Sequence, residues 1–380
     1  MLAAVVPALS GCGNFFVYPG NGSTPTNTGD YVFVSNSTTG PTYINGYSLS
    51  SGTMATLSGS PINLNFIPSA MSITPNNDLL FVSSVTGNGI YSYVIGTGGA
   101  LTAENSSLAV AGGNPVSIDI SPDGQWLFAL DNISNTMSEY SINYTSGTLS
   151  LQSQTTYTGL NGTTITPYQV RVSPTGSYVV VVIGDAGDIV FPLTTSNGAL
   201  GTSYVISTTN AGADYAVVMD SSNNAYIARS GGTTNTIGVA VYQLASASAA
   251  QVTGSPFLTQ AVPKSLVLSS SYSYLYTGNE LDTSLSSTSG TSSGFSQSSG
   301  TLTSLGAVVA APFDVYSMAR DNSGKYILAV GYNSAGNGVI MYSIGTNGTL
   351  SATSNEPTAP STPLPVSGLP TYPAVMALTH

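Results

Sequence analysis

Apolar residues along the chain come in short runs that are separated by small polar turns. The stretch Ile120 to Asp131 shows the unit: an apolar run ends at Ser121, a Pro-Asp-Gly turn follows, and a second apolar run starts at Trp126. Proline fixes φ at the second position of a turn, and glycine is favoured at the fourth. The unit therefore predicts two short antiparallel strands joined by a tight turn.

The same unit recurs along the chain. Further copies begin at Ile73, Val172, Met219, Leu268 and Arg320, and a half copy begins at Gly29. The residues that open the second strand of each copy are Tyr31, Leu79, Trp126, Tyr178, Ala225, Tyr274 and Tyr326. Successive copies thus lie 47 to 52 residues apart. A repeat of this length without a helical stretch predicts one four-stranded blade of a β-propeller per copy.

The third strand of each blade is predicted by a further apolar stretch after the second strand. These stretches begin at Ile44, Gly89, Met137, Asp188, Ile237 and Gly338. The sixth copy departs from the pattern, because residues 280–294 form a Ser/Thr/Gly-rich insertion and the third strand near Phe295 is degenerate. We interpret the insertion as a mobile loop.

The two ends of the repeat array complement each other. The first copy lacks an inner strand, whereas Pro373–Thr379 matches inner strands such as Pro115–Ser121. We therefore predict that the C-terminal strand joins the first blade and closes the ring, which removes two open sheet edges. The predicted fold is an all-β, seven-bladed propeller with four antiparallel strands per blade, formed by residues 29–380 as one domain.

The N-terminal segment has a different character. Residues 1–12 are apolar and too short for a membrane span, and Leu9-Ser10-Gly11-Cys12 resembles the bacterial lipobox, although no basic region precedes it. This resemblance implies lipidation at Cys12 and an extracytoplasmic protein anchored at the bacterial cell envelope or surface. The alternative is a buried strand with a free thiol. Residues 13–28 are predicted to form a flexible tether.

Composition excludes several classes of function. Only 6% of the residues are charged, and 5 basic against 16 acidic residues give a net charge of −11, which disfavours nucleic acid as a partner. Cys12 is the only cysteine, so an intrachain disulfide and a thiolate metal site are excluded. His380 is the only histidine, which leaves little for a histidine-centred metal site or catalytic triad.

The repeats resemble the YVTN-type, seven-bladed lactonase-like propellers, a family that includes phosphogluconolactonase and the fungal muconate cycloisomerase. The shared signature is P-x-x-h-x-h-S-P-D-G-x-h-h-h, followed by Y-x-h and G-x-L, where h is apolar, and it covers Gly29 to His380. These motifs describe turns and blade packing, so they are specific for the fold and not for a reaction. The His, Arg and Glu set that the cycloisomerase branch implies has no evident counterpart here.

The resemblance also implies which loops share a face. Loops that enter inner strands and loops that leave second strands should surround one mouth of the central channel. The candidate ligand-binding residues on this face are Tyr168, Arg229, Lys264, Tyr316 and Tyr372. Such side chains can hydrogen-bond sugars or peptides and stack on an apolar ring face. The alternative is that they are ordinary loop residues.

Asp119 and Arg171 occupy the same position of adjacent inner strands, near the channel. We predict an ion pair that bridges blades three and four, because burial of one charge without the other is unfavourable. The pair is either part of a ligand site or purely structural.

Candidate catalytic residues are few. Asp131, Asp214 and Asp314 could act as a general base or hold a hard cation such as Ca²⁺, or they could simply be solvated. No metal site stands out and no cofactor is required. Few basic residues are available to hold a phosphorylated lactone.

Three functions remain open. The first is a membrane-tethered binding or scaffolding module for a glycan, a peptide or a cell-surface protein. The alternative is a lactonase-like hydrolase that acts on a sugar lactone at the channel mouth. The third is a self-associating surface protein, because a surface with so few charges opposes close packing weakly.

Overall fold

The computed structural model describes residues 29–36, 42–84, 86–159, 163, 165–206, 212–232, 237–280, 290–306, 308–333, 336–353 and 375–380. The predicted signal segment, the tether, Cys12 and Tyr372 lie outside these residues. No helical segment within these residues has the length and hydropathy of a membrane span.

The first three blades contain the strands that follow. Blade one has β1 (Tyr31–Asn36), β2 (Thr42–Ser50), β3 (Thr53–Thr56) and β4 (Ile62–Leu64). Blade two has β5 (Pro68–Ile73), β6 (Leu79–Ser84), β7 (Gly89–Ile95) and β8 (Leu101–Ala111), with a short 3-10 helix at Thr97–Gly99. Blade three has β9 (Pro115–Ile120), β10 (Trp126–Asp131), β11 (Thr136–Ile142) and β12 (Leu149–Thr156).

The remaining four blades follow in chain order. Blade four has β13 (Gln169–Val172), β14 (Tyr178–Val182), β15 (Asp188–Thr194), β16 (Ala199–Leu200) and β17 (Tyr204–Ile206). Blade five has β18 (Asp214–Met219), β19 (Asn224–Arg229), β20 (Gly238–Leu244), β21 (Ala249–Gln251) and β22 (Phe257–Leu258). Blade six has β23 (Pro263–Leu268), β24 (Tyr274–Asn279), β25 (Thr291–Ser298), β26 (Thr301–Ser304) and β27 (Val309–Ala310). Blade seven has β28 (Asp314–Arg320), β29 (Tyr326–Asn333), β30 (Gly336–Ile344) and β31 (Leu350–Ala352), and β32 (Met376–Leu378) completes blade one.

These strands form seven separate antiparallel sheets. Neighbouring strands follow chain order in blades two, three and seven. In blades four, five and six the last short strand pairs with the third strand, and in blade one β4 pairs with β2 and β32 with β1. The predicted all-β, seven-bladed propeller is therefore confirmed. The second strand of each blade lies between its neighbours in the sheet and is buried on both faces; β14, with the sequence YVVVV, is buried at every residue. Its side chains pack with those of the adjacent blades, and Val179 and Val181 contact the same core as Phe128 of blade three.

Ring closure is also confirmed. Strand β32 pairs antiparallel with β1, with Phe33 opposite Ala377. The Thr379 hydroxyl accepts a hydrogen bond from the Tyr31 N–H at 2.8 Å. Ser121 does the same for the Trp126 N–H at 3.0 Å inside blade three. The closure thus reproduces the bonding of a continuous turn between two segments that are far apart in the chain.

The sixth blade corrects one boundary. We placed residues 280–294 in an insertion, but β25 already begins at Thr291 and continues through Phe295, which is buried. The Asn279 side chain explains this, because its amide donates to the hydroxyls of Thr291 and Ser293 at 3.0 Å each. A polar strand without apolar alternation was therefore mistaken for loop. Residues 281–289, to which the mobile-loop prediction applies, lie outside the described part.

Candidate active site

The seven inner strands run in the same direction, so their C-terminal halves surround one end of the central channel. There they enclose a cavity of about 410 Å³, which lies within the range of about 300–1,000 Å³ typical of small-molecule sites. The turns after three inner strands contribute Pro75, Pro122 and Pro174 to its wall. The cavity therefore opens on the face of these turns, opposite the loops on which we expected most ligand-binding residues.

Three charged side chains and one imidazole line this cavity. Asp119 comes from blade three, Arg171 from blade four, Arg320 from blade seven, and His380 follows the closing strand of blade one. No single stretch of sequence brings them together; the closed ring does.

The predicted ion pair between blades three and four is confirmed. An Arg171 guanidinium nitrogen lies 3.4 Å from Asp119 Oδ1, and Asp119 Oδ2 accepts the Val172 N–H at 2.8 Å. Burial raises the pKa of Asp119, while the charge of Arg171 and the backbone donors lower it in part. Both Asp119 oxygens thus have protein donors, which favours a role in joining the blades and balancing the charge of Arg171.

Arg320 is the second cation of the cavity. Its guanidinium donates to the backbone carbonyl of Leu268 at 3.4 Å. Burial lowers the pKa of Arg320, and the neighbouring Tyr272 and Asp321 raise it in part. An arginine stays charged at neutral pH even so, because its ordinary pKa is above 12. Arg320 therefore brings positive charge to the cavity wall.

His380 is held in the cavity by two kinds of contact. The Asn77 side chain bonds both backbone groups of His380: Nδ2 donates to its carbonyl at 2.9 Å, and Oδ1 accepts its N–H at 2.8 Å. The imidazole also bonds the backbone of Ile73. A bond from one imidazole nitrogen to a carbonyl fixes the tautomer, so the other nitrogen is the one that can accept a proton.

The environment keeps this imidazole neutral. His380 is reached by water from the cavity mouth, but the surrounding walls remove part of its hydration, and this is the largest effect that lowers its pKa. The bond to Ile73 raises the pKa, and the charge of Arg320 lowers it again, so that it lies below the ordinary value. A neutral imidazole beside a guanidinium can accept a proton from water at neutral pH.

The sequence analysis predicts no catalytic role for His380, because it is the only histidine of the chain. A signal was nevertheless present. Thr379 aligns with Ser121 at the end of an inner strand, so His380 aligns with Pro122, and the prolines at this turn position line the cavity. Predicted ring closure combined with this alignment would have placed the imidazole at the channel.

On the opposite face, Asp214 and Arg229 form a buried bidentate pair, with Nε to Oδ1 at 2.7 Å and Nη2 to Oδ2 at 2.9 Å. Asp188 of blade four contacts Asp214, and burial together with this second carboxyl raises its pKa well above the ordinary value. A neutral Asp188 can donate its proton to Asp214. This arrangement joins blades four and five, and the Asp214 carboxylate neutralises the charge of Arg229.

Tyr168 and Lys264 lie near each other on that same face, around Tyr215. The rings of Tyr168 and Tyr215 meet edge to face with centroids 4.9 Å apart, and Lys264 Nζ lies 3.4 Å from the centroid of Tyr215. Lys264 also pairs with Glu280 at 3.1 Å. Tyr168 remains 39% exposed, so this cluster presents an aromatic ring to solvent.

The other predicted aspartates have different surroundings. Asp131 accepts the N–H groups of Asn114, Ile133 and Ser134, and these bonds outweigh burial and lower its pKa. It therefore holds loops of its own blade. Asp314 and Tyr316 lie half-buried at the start of β28. Among the described residues, no group of three or more His, Cys, Asp or Glu side chains is arranged to hold a metal ion.

The fold and cavity define a seven-bladed β-propeller with a charged, water-accessible channel site. Residues 42–165 match a family model described as "Lactonase, 7-bladed beta-propeller". The chain has the fold of the periplasmic gluconolactonase of Pseudomonas aeruginosa, with a TM-score of 0.67, 15% identity, and coverage of 92% of this chain and 99% of that one.

A Bacteroides uniformis protein described as a candidate 6-phosphogluconolactonase is similar in the same way, with a TM-score of 0.68, 15% identity, and coverage of 92% and 99%. A Bacteroides fragilis protein with the same description has a TM-score of 0.68, 15% identity, and coverage of 95% and 100%. A search among curated protein sequences found no match. The chain thus has the lactonase-type propeller fold.

Proposed function

We propose that this protein hydrolyses a sugar lactone in the channel cavity. The observation that carries the proposal is the presence of a neutral imidazole, His380, and a guanidinium, Arg320, in the wall of one cavity. The family match of residues 42–165 and the fold shared with a gluconolactonase support the same reaction class. This favours the hydrolase over the binding module as the main function.

The proposed reaction needs one base and one positive charge. His380 takes a proton from water while the water oxygen bonds to the lactone carbonyl carbon, and Arg320 stabilises the negative charge that develops on the carbonyl oxygen. The bond between this carbon and the ring oxygen then breaks. The ring oxygen takes the proton from His380, and the product hydroxy acid releases a proton to solvent.

Titration of released acid tests the proposal. Gluconolactone, with its spontaneous hydrolysis subtracted, should be hydrolysed by the wild-type protein. We expect His380→Gln to lower kcat by about 100-fold, the lower end of the usual contribution of a general base. Arg320→Met should lower kcat/KM by a similar factor because one charge-stabilising donor is lost. Absence of hydrolysis above the spontaneous rate, for the neutral and the 6-phosphorylated lactone alike, would refute the proposal.

A second candidate function is favoured by the exposed aromatic cluster on the opposite face. We propose that Tyr168, with Tyr215 and Lys264 behind it, binds a sugar chain by stacking, the role for which we first considered Tyr168 and Lys264. Calorimetry with cell-surface glycans should then show binding that Tyr168→Ala abolishes and Tyr168→Phe retains. Equal affinity of wild type and Tyr168→Ala would reject this role.

We propose that the protein works outside the cytoplasm, anchored through Cys12. The lipobox-like sequence before Cys12 and the periplasmic location of the Pseudomonas aeruginosa relative support this location. Expression in a bacterial host should place the full chain in the membrane fraction, and Cys12→Ala should release it. A wild-type chain that stays in the cytoplasmic fraction would contradict the proposal.

A further inference from the structure

Six turns join an inner strand to the second strand of the same blade, and all six share one backbone conformation. The fourth residue of each turn has a positive φ, between 56° and 72°. Its N–H donates to the carbonyl of the first turn residue. The six residues are Asn77, Gly124, Gly176, Asn223, Tyr272 and Gly324.

Five of these residues suit a positive φ. Glycine has no Cβ to clash, and asparagine tolerates the left-handed region better than other residues. Tyr272, with φ of 56°, does not suit it, because a bulky side chain in this region is a backbone outlier. Such outliers cluster at functional sites, where the surrounding structure holds them in place.

The position of the Tyr272 side chain is the second observation. Its ring lines the channel cavity, which Arg320 and His380 also line. It is half-buried and packs against the core between blades five and six. Arg320 is close enough to affect the titration of the Tyr272 hydroxyl. The turn of blade six therefore brings an aromatic ring to the cavity wall. Glycine or asparagine at this position, as in the other five turns, would avoid the backbone strain.

We propose that Tyr272 is a substrate-binding residue whose ring forms a stacking wall for the sugar ring of the lactone, next to Arg320. The proposal rests on the proposed lactone hydrolysis in this cavity. The C–H face of a sugar packs on an aromatic ring through apolar contact, while the polar groups of the cavity bind its edge. The turn imposes the left-handed backbone in all six blades, so on this proposal tyrosine occupies the position in blade six because its ring is needed there.

The test compares Tyr272→Asn and Tyr272→Phe with the wild type in the gluconolactone assay and in calorimetry with gluconate, the hydroxy-acid product. Asparagine is the residue of two equivalent turns, so Tyr272→Asn keeps the backbone. We expect it to raise KM, and Kd for gluconate, by about tenfold, the change that about 1.4 kcal/mol of lost contact gives. Because His380 and Arg320 carry out the proton transfer and the charge stabilisation, kcat of Tyr272→Asn should change less than threefold. Tyr272→Phe should behave like the wild type.

Thermal unfolding separates binding from a structural role. Relief of the left-handed backbone offsets the lost packing of the ring, so the melting temperature of Tyr272→Asn should stay within about 2 °C of the wild type. Ser299→Asn is the matched control, because Ser299 has φ of 50° in an exposed outer turn of the same blade. It should leave KM unchanged.

Unchanged KM and Kd in Tyr272→Asn would overturn the inference while wild-type turnover still supported the proposed function. A fall of more than about 5 °C in melting temperature with unchanged KM would show that the ring is only structural. No turnover and no gluconate binding by the wild type would overturn both proposals.

Discussion

Asn77 connects the fold to the proposed chemistry at the scale of a single residue. It occupies the left-handed position of its turn, with φ of 61°, and its amide bonds both backbone groups of His380. The chain that carries His380 has no covalent turn to β1, so these bonds help to fix where the imidazole lies. Asn77 is thus a positioning residue and not a catalytic one.

Asn77→Gly tests this role, since glycine keeps the positive φ and removes only the amide. We expect kcat for gluconolactone to fall about tenfold with little change in KM, because a base that is held less firmly in place loses effective proximity. The control is Asn223→Gly at the equivalent turn of blade five, where Asn223 accepts a bond from Thr175 and does not contact His380. Equal kcat in the two variants would contradict the positioning role.

Asp188 is the other residue whose state depends on its surroundings. It is fully buried, and its carboxyl group lies beside that of Asp214. Burial and the adjacent Asp214 raise its pKa. Near pH 3 both the folded and the unfolded chain hold this proton. Above about pH 4 the unfolded aspartate ionises while the folded one does not, so stability falls as pH rises.

Asp188→Asn removes this dependence, and its amide can still donate to Asp214. Urea unfolding of both proteins should give similar stability near pH 3. The variant should then gain by up to about 1.4 kcal/mol per pH unit between pH 4 and the raised pKa. Asp185→Asn, in the exposed residue nearby, should change stability little. A constant difference between wild type and Asp188→Asn at every pH would show that Asp188 does not carry a buried proton.

At the scale of elements, ring closure depends on a strand of three residues, β32. Besides the backbone ladder, the Thr379 hydroxyl accepts the Tyr31 N–H and donates to the Gly29 carbonyl at 2.9 Å. Every other blade makes the corresponding bond within one continuous turn. Loss of the hydroxyl leaves the Tyr31 donor without this partner where water reaches it poorly.

Thr379→Ala should therefore lower the free energy of unfolding by about 1–2 kcal/mol, the cost of a lost partner for a part-buried donor. Thr379→Ser keeps the hydroxyl and should retain most of the stability. Urea unfolding at neutral pH measures both. If serine and alanine variants were equally destabilised, packing of the threonine methyl group, and not the hydroxyl bonds, would explain the effect.

The strands and turns of the blades could largely be predicted from the sequence, whereas the cavity could not. Turns such as Ser121–Gly124 and second strands such as β14 are set by neighbouring residues, so their pattern was sufficient for the propeller and its closure. Strand β25 was misplaced because its start is stabilised by the Asn279 side chain and not by apolar alternation. The cavity could not be predicted from local pattern, since it depends on contacts such as Asn77 with His380, 303 positions apart.

For the whole molecule, the two faces of the propeller have different chemistry. One holds the cavity with Arg320 and a neutral imidazole, and the other holds the Tyr168 cluster together with the Asp214–Arg229 pair. In the second, the cation is already neutralised by a buried carboxylate. In the first, Arg171 is paired with Asp119, and Arg320 donates to the Leu268 carbonyl. We expect the positive charge of Arg320 to stabilise anionic charge that develops in a transition state at this face.

The pH dependence of kcat/KM follows from the state of His380. The base must be neutral, so kcat/KM should rise with pH through the pKa of His380 and then stay level. Because that pKa lies below 6.5, activity should be half-maximal below that pH. His380→Gln should lack this rise. Activity that rises only above pH 8 would point to a different base.

The most direct test of lactone hydrolysis in the channel cavity is a crystal structure of the full chain with gluconate bound. We predict that the carboxylate lies beside Arg320, near His380, and that the carbon chain packs on the Tyr272 ring inside the channel cavity. Gluconate bound instead at Tyr168 and Lys264 on the opposite face, with an empty channel, would contradict the proposed site.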